Sequence, residues 1–272
     1  RIFMLGAIIG DIIGSVYEWD PIKTEDFPLF CSKSRFTDDT VLTVATAQTL
    51  LELAGKQEMD ERSIAKAYAQ NYRAYYRRYP LAGFGGMFAD WAQKEPMLIQ
   101  GSYGNGAAMR VCPIGYAFDD MESVLLHTEK SCLYTHNNAE AIKGAKAVAG
   151  AVFLARNGKK KADIRRFVQH MAGYDLNFRL EDIRPGYTFS SRTKLSVPEA
   201  ISAFLQAESF EDTLRKAVSL GGDSDTIACI AGGIAYAFYK QIPKEIEKQA
   251  MRRLDQRLLQ TVTAFMQRYH PQ

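Results

Sequence analysis

Two short stretches of the sequence place paired carboxylates and a threonine directly at the start of an apolar segment. One reads SRFTDDTVLTVA and the other SLGGDSDTIACIAGG. Their polar side chains are Thr37, Asp38, Asp39, Asp223, Asp225 and Thr226. Asp and Thr are preferred at helix N-caps, where a carboxylate also gains from the helix dipole, so capping alone is one explanation of each stretch.

A bound cation is the second explanation. A cap uses one side chain, whereas a second carboxylate nearby adds repulsion that apolar surroundings screen poorly. Because the possible ligands are carboxylate and hydroxyl oxygens with no Cys or His among them, a hard ion such as Mg²⁺, Mn²⁺ or Ca²⁺ fits better than Zn²⁺. If the two helix N-termini face each other, they would hold a pair of ions ~3.5–4 Å apart, as binuclear hydrolytic sites do.

A third acidic stretch, GDIIGSVYEWD, contains Asp11 and Glu18. Gly10 and Gly14 keep one side of this helix small, which permits close approach of another backbone or of a ligand. Glu18 follows at an aromatic helix end that leads into a loop. It is either an ordinary surface residue or a mobile acid over a site.

Two glycine loops are candidate anion sites. The segment 100–115, QGSYGNGAAMRVCPIG, exposes backbone N–H groups and then opens a helix, which suits an anion. Its spacing matches neither the Walker A loop nor the dinucleotide fingerprint. A second loop, LAGFGGMF at 81–88, offers further donors, although either loop is also compatible with an ordinary turn. His136, in LYTHNNAEA, either caps a helix or stacks its ring on a flat base.

The remaining pattern predicts an all-α fold. Apolar residues recur at three- and four-residue steps, and no stretch alternates with period two. The segment 173–196 has no clear period and is expected to be a functional loop rather than a domain boundary. We therefore predict one compact domain over residues 1–272. Helices are predicted at 40–54, 61–78, 86–93, 107–118, 121–133, 138–156, 161–172, 197–206, 210–219, 225–240 and 244–268.

Composition narrows the class of protein. The net charge of +3, from 34 basic and 31 acidic side chains, is too balanced for a nucleic-acid or membrane surface. The four cysteines form no CxxC pair and are expected to be free thiols in a reducing compartment. The opening RIFMLGAIIGD is too short an apolar run for a signal peptide. We expect a cytoplasmic protein, with monomer as the default state.

Taken in order, these motifs resemble the ADP-ribosylglycohydrolase family, which includes enzymes that activate dinitrogenase reductase. The motifs that match are GDIIGSVYE, SRFTDDT, GFGG, GSYGNGAAMR, TH before a long helix, IRPGYTF with SVPEAI, and SLGGDSDTIA. They extend over most of the chain, and the paired TDD and DSDT motifs are highly specific. The chain is also similar to the serine-ADP-ribosyl hydrolase branch of the family.

The resemblance implies a compact orthogonal helical bundle with a binuclear Mg²⁺ or Mn²⁺ centre at helix N-termini. It implies an enzyme that cleaves the bond between ADP-ribose and an acceptor. The implied metal ligands are Thr37, Asp38, Asp39, Asp223, Asp225 and Thr226. The implied catalytic acids are Glu18, Asp38 and Asp39. The implied substrate contacts are Gly83, Phe84, Gly85, Gly101, Ser102, Tyr103, Gly104, Asn105 and His136.

The acceptor stays open at this point. Met97 stands where the serine-specific branch has a second aromatic ring at the adenine, and TKLSVPEA lacks the usual glycine. An ADP-ribosylated protein side chain, an ADP-ribosylated nucleobase and an O-acyl-ADP-ribose are all compatible substrates. The alternatives to a hydrolase are a catalytically silent ADP-ribose-binding module and a helical protein that uses its acids only as caps.

Overall fold

The computed structural model describes residues 4–56 and 59–269, and this part of the chain is helical, as predicted. Two isolated β-bridges, Gly101–His136 and Gly104–Arg192, are the extended pairings found there, and no strand forms within these ranges. The helices are α1 (Leu5–Gly14), α2 (Asp38–Leu53), α3 (Glu61–Arg78), α4 (Gly86–Gln93), α5 (Gly106–Met109), α6 (Ile114–Ala117), α7 (Met121–Cys132), α8 (Ala139–Arg156), α9 (Lys161–Ala172), α10 (Leu180–Ile183), α11 (Val197–Leu205), α12 (Phe210–Ser219), α13 (Ser224–Tyr239), α14 (Lys244–Met251) and α15 (Gln256–Tyr269).

Two predicted helices are each broken into two. The predicted helix 107–118 ends after α5 and resumes as α6 behind Pro113, which lacks the N–H that a continuous helix needs. The predicted helix 244–268 is interrupted at 252–255, where the Asp255 carboxylate accepts a hydrogen bond from the Leu258 backbone N–H at 2.9 Å. That cap starts α15 as a separate helix.

The central packing contact is the one between α1 and α13, which run antiparallel and are buried along nearly their whole lengths. We call this contact the seam. A Cβ on Gly10 would lie 2.0 Å from the Ala228 carbonyl oxygen, and one on Gly14 would lie 2.4 Å from that of Ser224. Only glycine permits this backbone approach. The seam therefore brings the middle of α1, including Asp11, against the first turns of α13.

The segment 173–196 carries α10 and a 3₁₀ turn at Thr193–Leu195, both absent from the prediction. It is tied to the glycine loop of residues 100–106, because the Asn105 N–H donates to the Ser191 carbonyl at 2.7 Å and the Thr193 N–H donates to the Tyr103 carbonyl at 3.0 Å. The loop is thereby held by two backbone bridges. Among the described residues, none of the helices has the length and apolarity that crossing a bilayer requires.

One connected core of buried apolar side chains extends from Met4, directly before the first helix, to Phe265 in the last. This continuity accords with the single domain predicted over residues 1–272, a range that includes positions outside the described residues. The domain assignment stays a prediction.

Candidate active site

The N-termini of α2 and α13 meet, which is the condition that a shared cation site requires. Thr37 Oγ1 lies 3.3 Å from Asp225 Oδ2 and 3.2 Å from Asp39 Oδ2. These side chains are buried, with Asp39 at 1% and Asp225 at 3% exposure. The two distant motifs thus form one buried cluster of oxygen atoms.

Asp11 of α1 lies beneath this cluster, although the sequence analysis did not place it among the ligands. Its Oδ1 accepts from the Thr37 hydroxyl at 2.6 Å, and its Oδ2 accepts from the backbone N–H groups of Thr37 at 2.8 Å and Thr40 at 3.1 Å. Asp11 thereby fixes the first turn of α2. The signal in the sequence is a single acid inside the otherwise apolar segment LGAIIGDIIG.

The hydrogen bonds of this cluster leave oxygen atoms facing one another. Thr37 has one hydroxyl hydrogen, and its shortest contact, 2.6 Å to Asp11, takes that hydrogen. Thr37 Oγ1 also accepts from the Asp39 backbone N–H at 3.3 Å, so it has no second hydrogen to donate to the nearby carboxylate oxygens of Asp39 and Asp225. The other oxygen of Asp39, Oδ1, is buried and has no hydrogen-bond partner among the described residues.

The pKa shifts follow from burial and from mutual repulsion. Burial raises the pKa of Asp38, Asp39 and Asp225 well above the usual value, and the neighbouring carboxylates raise the pKa of each further. Burial likewise raises the pKa of Asp223 to about 6. Glu18 is half-buried above the cluster, and burial followed by the charges of Asp225 and Asp11 raises its pKa to about 7.

The carboxylates form two groups with the spacing of cation ligands. In one, oxygens of Asp11, Asp39 and Asp225 lie within 4.8 Å of one another; in the other, those of Glu18, Asp223 and Asp225 do. Asp225 belongs to both. A divalent cation would satisfy the unpartnered Asp39 oxygen and offset the repulsion that raises these pKa values, and an all-oxygen donor set suits a hard ion. The residues present therefore fit a metal centre.

A cavity of about 400 Å³ opens from this cluster to the surface. The predicted residues that line it are Glu18, Asp38, Asp39, Gly83, Phe84, Gly85, Ser102, Gly104, Asn105, His136, Asp223, Asp225 and Thr226. Thr37 lies behind its wall as the N-cap of α2. Gly101 and Tyr103 are outside this lining; the Tyr103 ring is 56% exposed and lies under the Arg192 guanidinium, 5.0 Å from its centroid.

The glycine loop is bonded to the carboxylate cluster through Asn105. Its amide Nδ2 donates to Asp223 Oδ2 at 2.8 Å and lies 3.1 Å from Ser196 Oγ. Within the loop, the Gly104 N–H donates to Ser102 Oγ at 3.1 Å. One side chain thus fixes the distance between the candidate anion site and the candidate metal site.

His136 lies beneath this loop and is 5% exposed. A Cβ on Gly106 would lie 3.2 Å from its Nε2 and 3.4 Å from its Cε1, so the ring presents an edge to the loop. Burial, and then the charge of Arg110, lowers its pKa well below the usual value, which keeps the ring neutral. The predicted stacking of this ring on a base needs an exposed face, and the arrangement favours a contact at the ring edge instead.

The structure adds cavity residues that the sequence analysis did not single out. Trp19 and Phe189 stack at the rim, with ring centroids 5.4 Å apart, and both line the cavity. Arg110 also lines it and is fully buried. A charged residue inside the apolar run AAMRVCPIG was the available signal for Arg110, whereas the Trp19–Phe189 pair depends on two loops meeting.

Comparison with known proteins identifies the family of this chain. A family model described as ADP-ribosylglycohydrolase matches residues 1–271. Proteins named ADP-ribosylhydrolase ARH3 from Mus musculus and Gallus gallus are 30% and 29% identical to the chain, over 89% and 90% of it and 84% and 87% of their own lengths.

More distant matches extend the likeness. A protein named ADP-ribosylarginine hydrolase Tri1 from Pseudomonas putida (strain GB-1) is 24% identical over 94% of this chain and 76% of its own. A solved structure called "ADP-ribosylglycohydrolase-related protein complex" superposes with a TM-score of 0.65 at 24% identity, covering 97% of this chain and 95% of that one, and so shares the fold. The chain belongs to the ADP-ribosylglycohydrolase family and is a glycohydrolase enzyme.

Proposed function

We propose that this enzyme is a hydrolase dependent on two Mg²⁺ or Mn²⁺ ions that releases ADP-ribose from an ADP-ribosylated acceptor. The observation that carries the proposal is the buried carboxylate cluster with its unpartnered Asp39 oxygen, which opens into a cavity lined by a glycine loop. Caps alone do not account for it, because the Asp223 side chain makes no cap hydrogen bond in α13.

The residues that would hold the ions are Thr37, Asp38, Asp39, Asp223, Asp225 and Thr226. When bound, the ions would supply a water of lowered pKa and a positive charge that orients the hydroxyl oxygens of the distal ribose. Asp11 does not need to contact an ion directly, since its oxygens already accept from Thr37 and Thr40. It orients α2 so that Asp38 and Asp39 face the cavity.

Glu18 is the acid best placed for proton transfer. It lines the cavity and belongs to one group of carboxylates with Asp223 and Asp225, and burial is the largest cause of its raised pKa, which favours a proton-transfer role. Asp38 and Asp39 share the wall beside it, and either is suited to orient the attacking water. The hydroxyl of Ser102 would donate to the diphosphate or to a ribose of the substrate. The backbone N–H groups of Ser102, Gly104 and Asn105 already donate within the protein, so Gly104 and Asn105 would shape the loop around the ligand.

The acceptor group would lie at the rim of the cavity, where Trp19 and Phe189 line it. The substrate is therefore an ADP-ribosylated protein side chain, an ADP-ribosylated nucleobase or an O-acyl-ADP-ribose. We retain the predictions of a monomer in the cytoplasm with no stable nucleic-acid partner.

The test is release of ADP-ribose from a panel of arginine-, serine-, nucleobase- and acetyl-linked substrates, with Mg²⁺, with Mn²⁺ and with chelator. We expect turnover of at least one substrate, its loss in chelator and its return on adding either ion. Asp182→Asn serves as a matched control, because Asp182 is an exposed acid in the first turn of α10. Full activity in chelator would overturn the metal dependence. Tight ADP-ribose binding without product from any substrate would favour the silent binding module.

A further inference from the structure

A fully buried arginine lies at the end of the cavity away from the carboxylates. The Arg110 guanidinium carbon is 3.8 Å from the centroid of the Tyr72 ring, a cation–π contact that holds the guanidinium plane. Its Nη2 donates to the Ser131 carbonyl at 2.9 Å and to Thr135 Oγ1 at 2.7 Å. This arginine is thus fixed from two sides.

Because Arg110 contacts Thr135, the direction of the hydrogen bond between Thr135 and His136 can be assigned. A guanidinium can only donate, so Thr135 Oγ1 is the acceptor in its contact with Arg110. The other polar neighbour of that hydroxyl is His136 Nδ1, at 2.8 Å. The hydroxyl hydrogen of Thr135 is free to point at Nδ1. If Nδ1 carried a proton instead, Thr135 Oγ1 would accept twice, and its own hydrogen would have no acceptor in the described part of the chain.

The proton of the neutral His136 ring therefore resides on Nε2. That nitrogen lies at the inner face of the glycine loop, 3.2 Å from where a Cβ on Gly106 would be and 3.8 Å from where one on Gly104 would be. Glycine at these two positions leaves Nε2 accessible from the cavity, which His136 lines together with Ser102 and Asn105. Within residues 4–56 and 59–269, the ring's hydrogen bond is the one at Nδ1.

We propose that Tyr72, Arg110 and Thr135 are positioning residues that fix His136 as an imidazole with its proton on Nε2, which donates a hydrogen bond to an oxygen of bound ADP-ribose. This inference rests on the proposed function. It concerns a contact with ADP-ribose that does not require a metal ion. The oxygen belongs either to the diphosphate or to a ribose, since both are assigned to the adjoining loop. A neutral donor suits a site this buried, where an imidazolium would be costly beside Arg110.

The tautomer is measured by ¹⁵N NMR of the histidine side chains in the ligand-free full chain, with the His136 signals assigned by their loss in His136→Gln. We expect Nδ1 to give the signal of an unprotonated nitrogen and Nε2 that of a protonated one. Thr135→Val removes the hydroxyl donor and should produce a mixture of tautomers, whereas Thr135→Ser keeps the donor and should preserve the wild-type signals. A proton on Nδ1 in the wild type, or unchanged signals in Thr135→Val, would overturn the inference.

The ligand contact is tested by titrating wild type and both Thr135 variants with ADP-ribose, ADP and adenosine in the absence of divalent cations. We expect ADP-ribose affinity to fall ~3–10-fold in Thr135→Val and to stay within ~2-fold in Thr135→Ser, the effect of one hydrogen bond. A shift of the Nε2–H signal with ADP but not adenosine assigns the contact to the diphosphate; a shift with both assigns it to the adenosine ribose. No shift with any of the three compounds would refute the contact.

The two proposals fail in distinguishable ways. Absence of hydrolysis in the substrate panel would leave the tautomer measurement on the free protein intact. Normal metal-dependent hydrolysis with equal ADP-ribose affinity in wild type and Thr135→Val would refute the positioning role alone. Arg110→Met, which removes the donor to Thr135, is a further probe; should its burial prevent folding, the Thr135 pair still decides the question.

Discussion

At one end of the cavity, carboxylates are buried against one another; at the other end, the glycine loop is held by hydrogen bonds to the rest of the protein. Burial and repulsion raise the pKa of Asp39 and Asp225, and Asp39 Oδ1 has no partner among the described residues. The glycine loop, in contrast, is fixed by the hydrogen bonds of Asn105 and Thr193, and His136 by that of Thr135. Under the proposed function, cations would complete the carboxylate end, whereas the loop end would be preorganised for ADP-ribose.

We expect the largest effect on stability from a substitution that disrupts the seam between α1 and α13. Gly10→Ala would place a Cβ 2.0 Å from the Ala228 carbonyl oxygen, so α1 must separate from α13. We expect a loss of unfolding free energy of ~3–5 kcal/mol or failure to fold. Urea denaturation measures it. Gly186→Ala is the control, because a Cβ there meets nothing within 4 Å. Equal stability of the two variants would contradict the seam.

A substitution at the carboxylate end should separate turnover from binding. Asp225→Asn alters the residue shared by both ligand groups, and loss of metal-site partners commonly costs ~10–100-fold even outside the ligands themselves. We expect turnover to fall by more than ~100-fold, while metal-free ADP-ribose affinity stays within ~10-fold, because the loop contacts persist. Steady-state kinetics and calorimetry measure the two quantities. A similar loss of turnover and of metal-free ADP-ribose affinity would show that the carboxylate end and the loop end do not function separately.

Divalent cations should stabilise the fold through the carboxylate end alone. Binding to the folded state at ~100 times the dissociation constant adds ~2.7 kcal/mol to the unfolding free energy. We expect this gain with Mg²⁺ or Mn²⁺ in wild type and in Thr135→Val, and its loss in Asp225→Asn. Thermal melts with and without each ion provide the measurement. Equal stabilisation of Asp225→Asn would place the ions elsewhere.

The smallest effect concerns Glu199, an acid of α11 outside the cluster. Burial raises its pKa to about 7, without help from neighbouring carboxylates. The folded state therefore keeps its proton to higher pH than the unfolded state, and the stability this gives is present below about pH 4.5 and lost as pH rises through about 7. The side chain introduced by Glu199→Gln does not ionise, so the variant keeps its stability as pH rises. Its unfolding free energy should exceed that of wild type by roughly 1–3 kcal/mol as pH rises from 4.5 to 8.

Denaturation at several pH values tests this, and the difference between Glu199→Gln and wild type should be the same with and without Mg²⁺. A difference that depends on Mg²⁺ would join Glu199 to the metal end. Identical pH profiles for the two proteins would show that Glu199 is ionised in the fold.

Most helices could be predicted from the chain because their apolar residues recur at helical spacing, and α3, α4, α9 and α12 have the predicted bounds. The helix predictions are wrong where a helix-terminating residue lies inside a continuing apolar pattern. Pro113 ends one predicted helix and the Asp255 cap divides another, since a missing N–H or a side-chain acceptor outweighs continued apolar periodicity.

In the candidate site, too, some features follow from the sequence and others only from the tertiary structure. The sequence by itself indicated the chemistry of the proposed site, with carboxylate and hydroxyl oxygens at two helix N-termini and a glycine loop between them, because these are properties of residue type and spacing. Only the tertiary structure decided that Asp11 supports the cluster and that Arg110 orients His136 through Thr135. Those roles depend on which atoms the glycine seam and the buried packing bring within hydrogen-bonding distance, and spacing along the chain does not specify that.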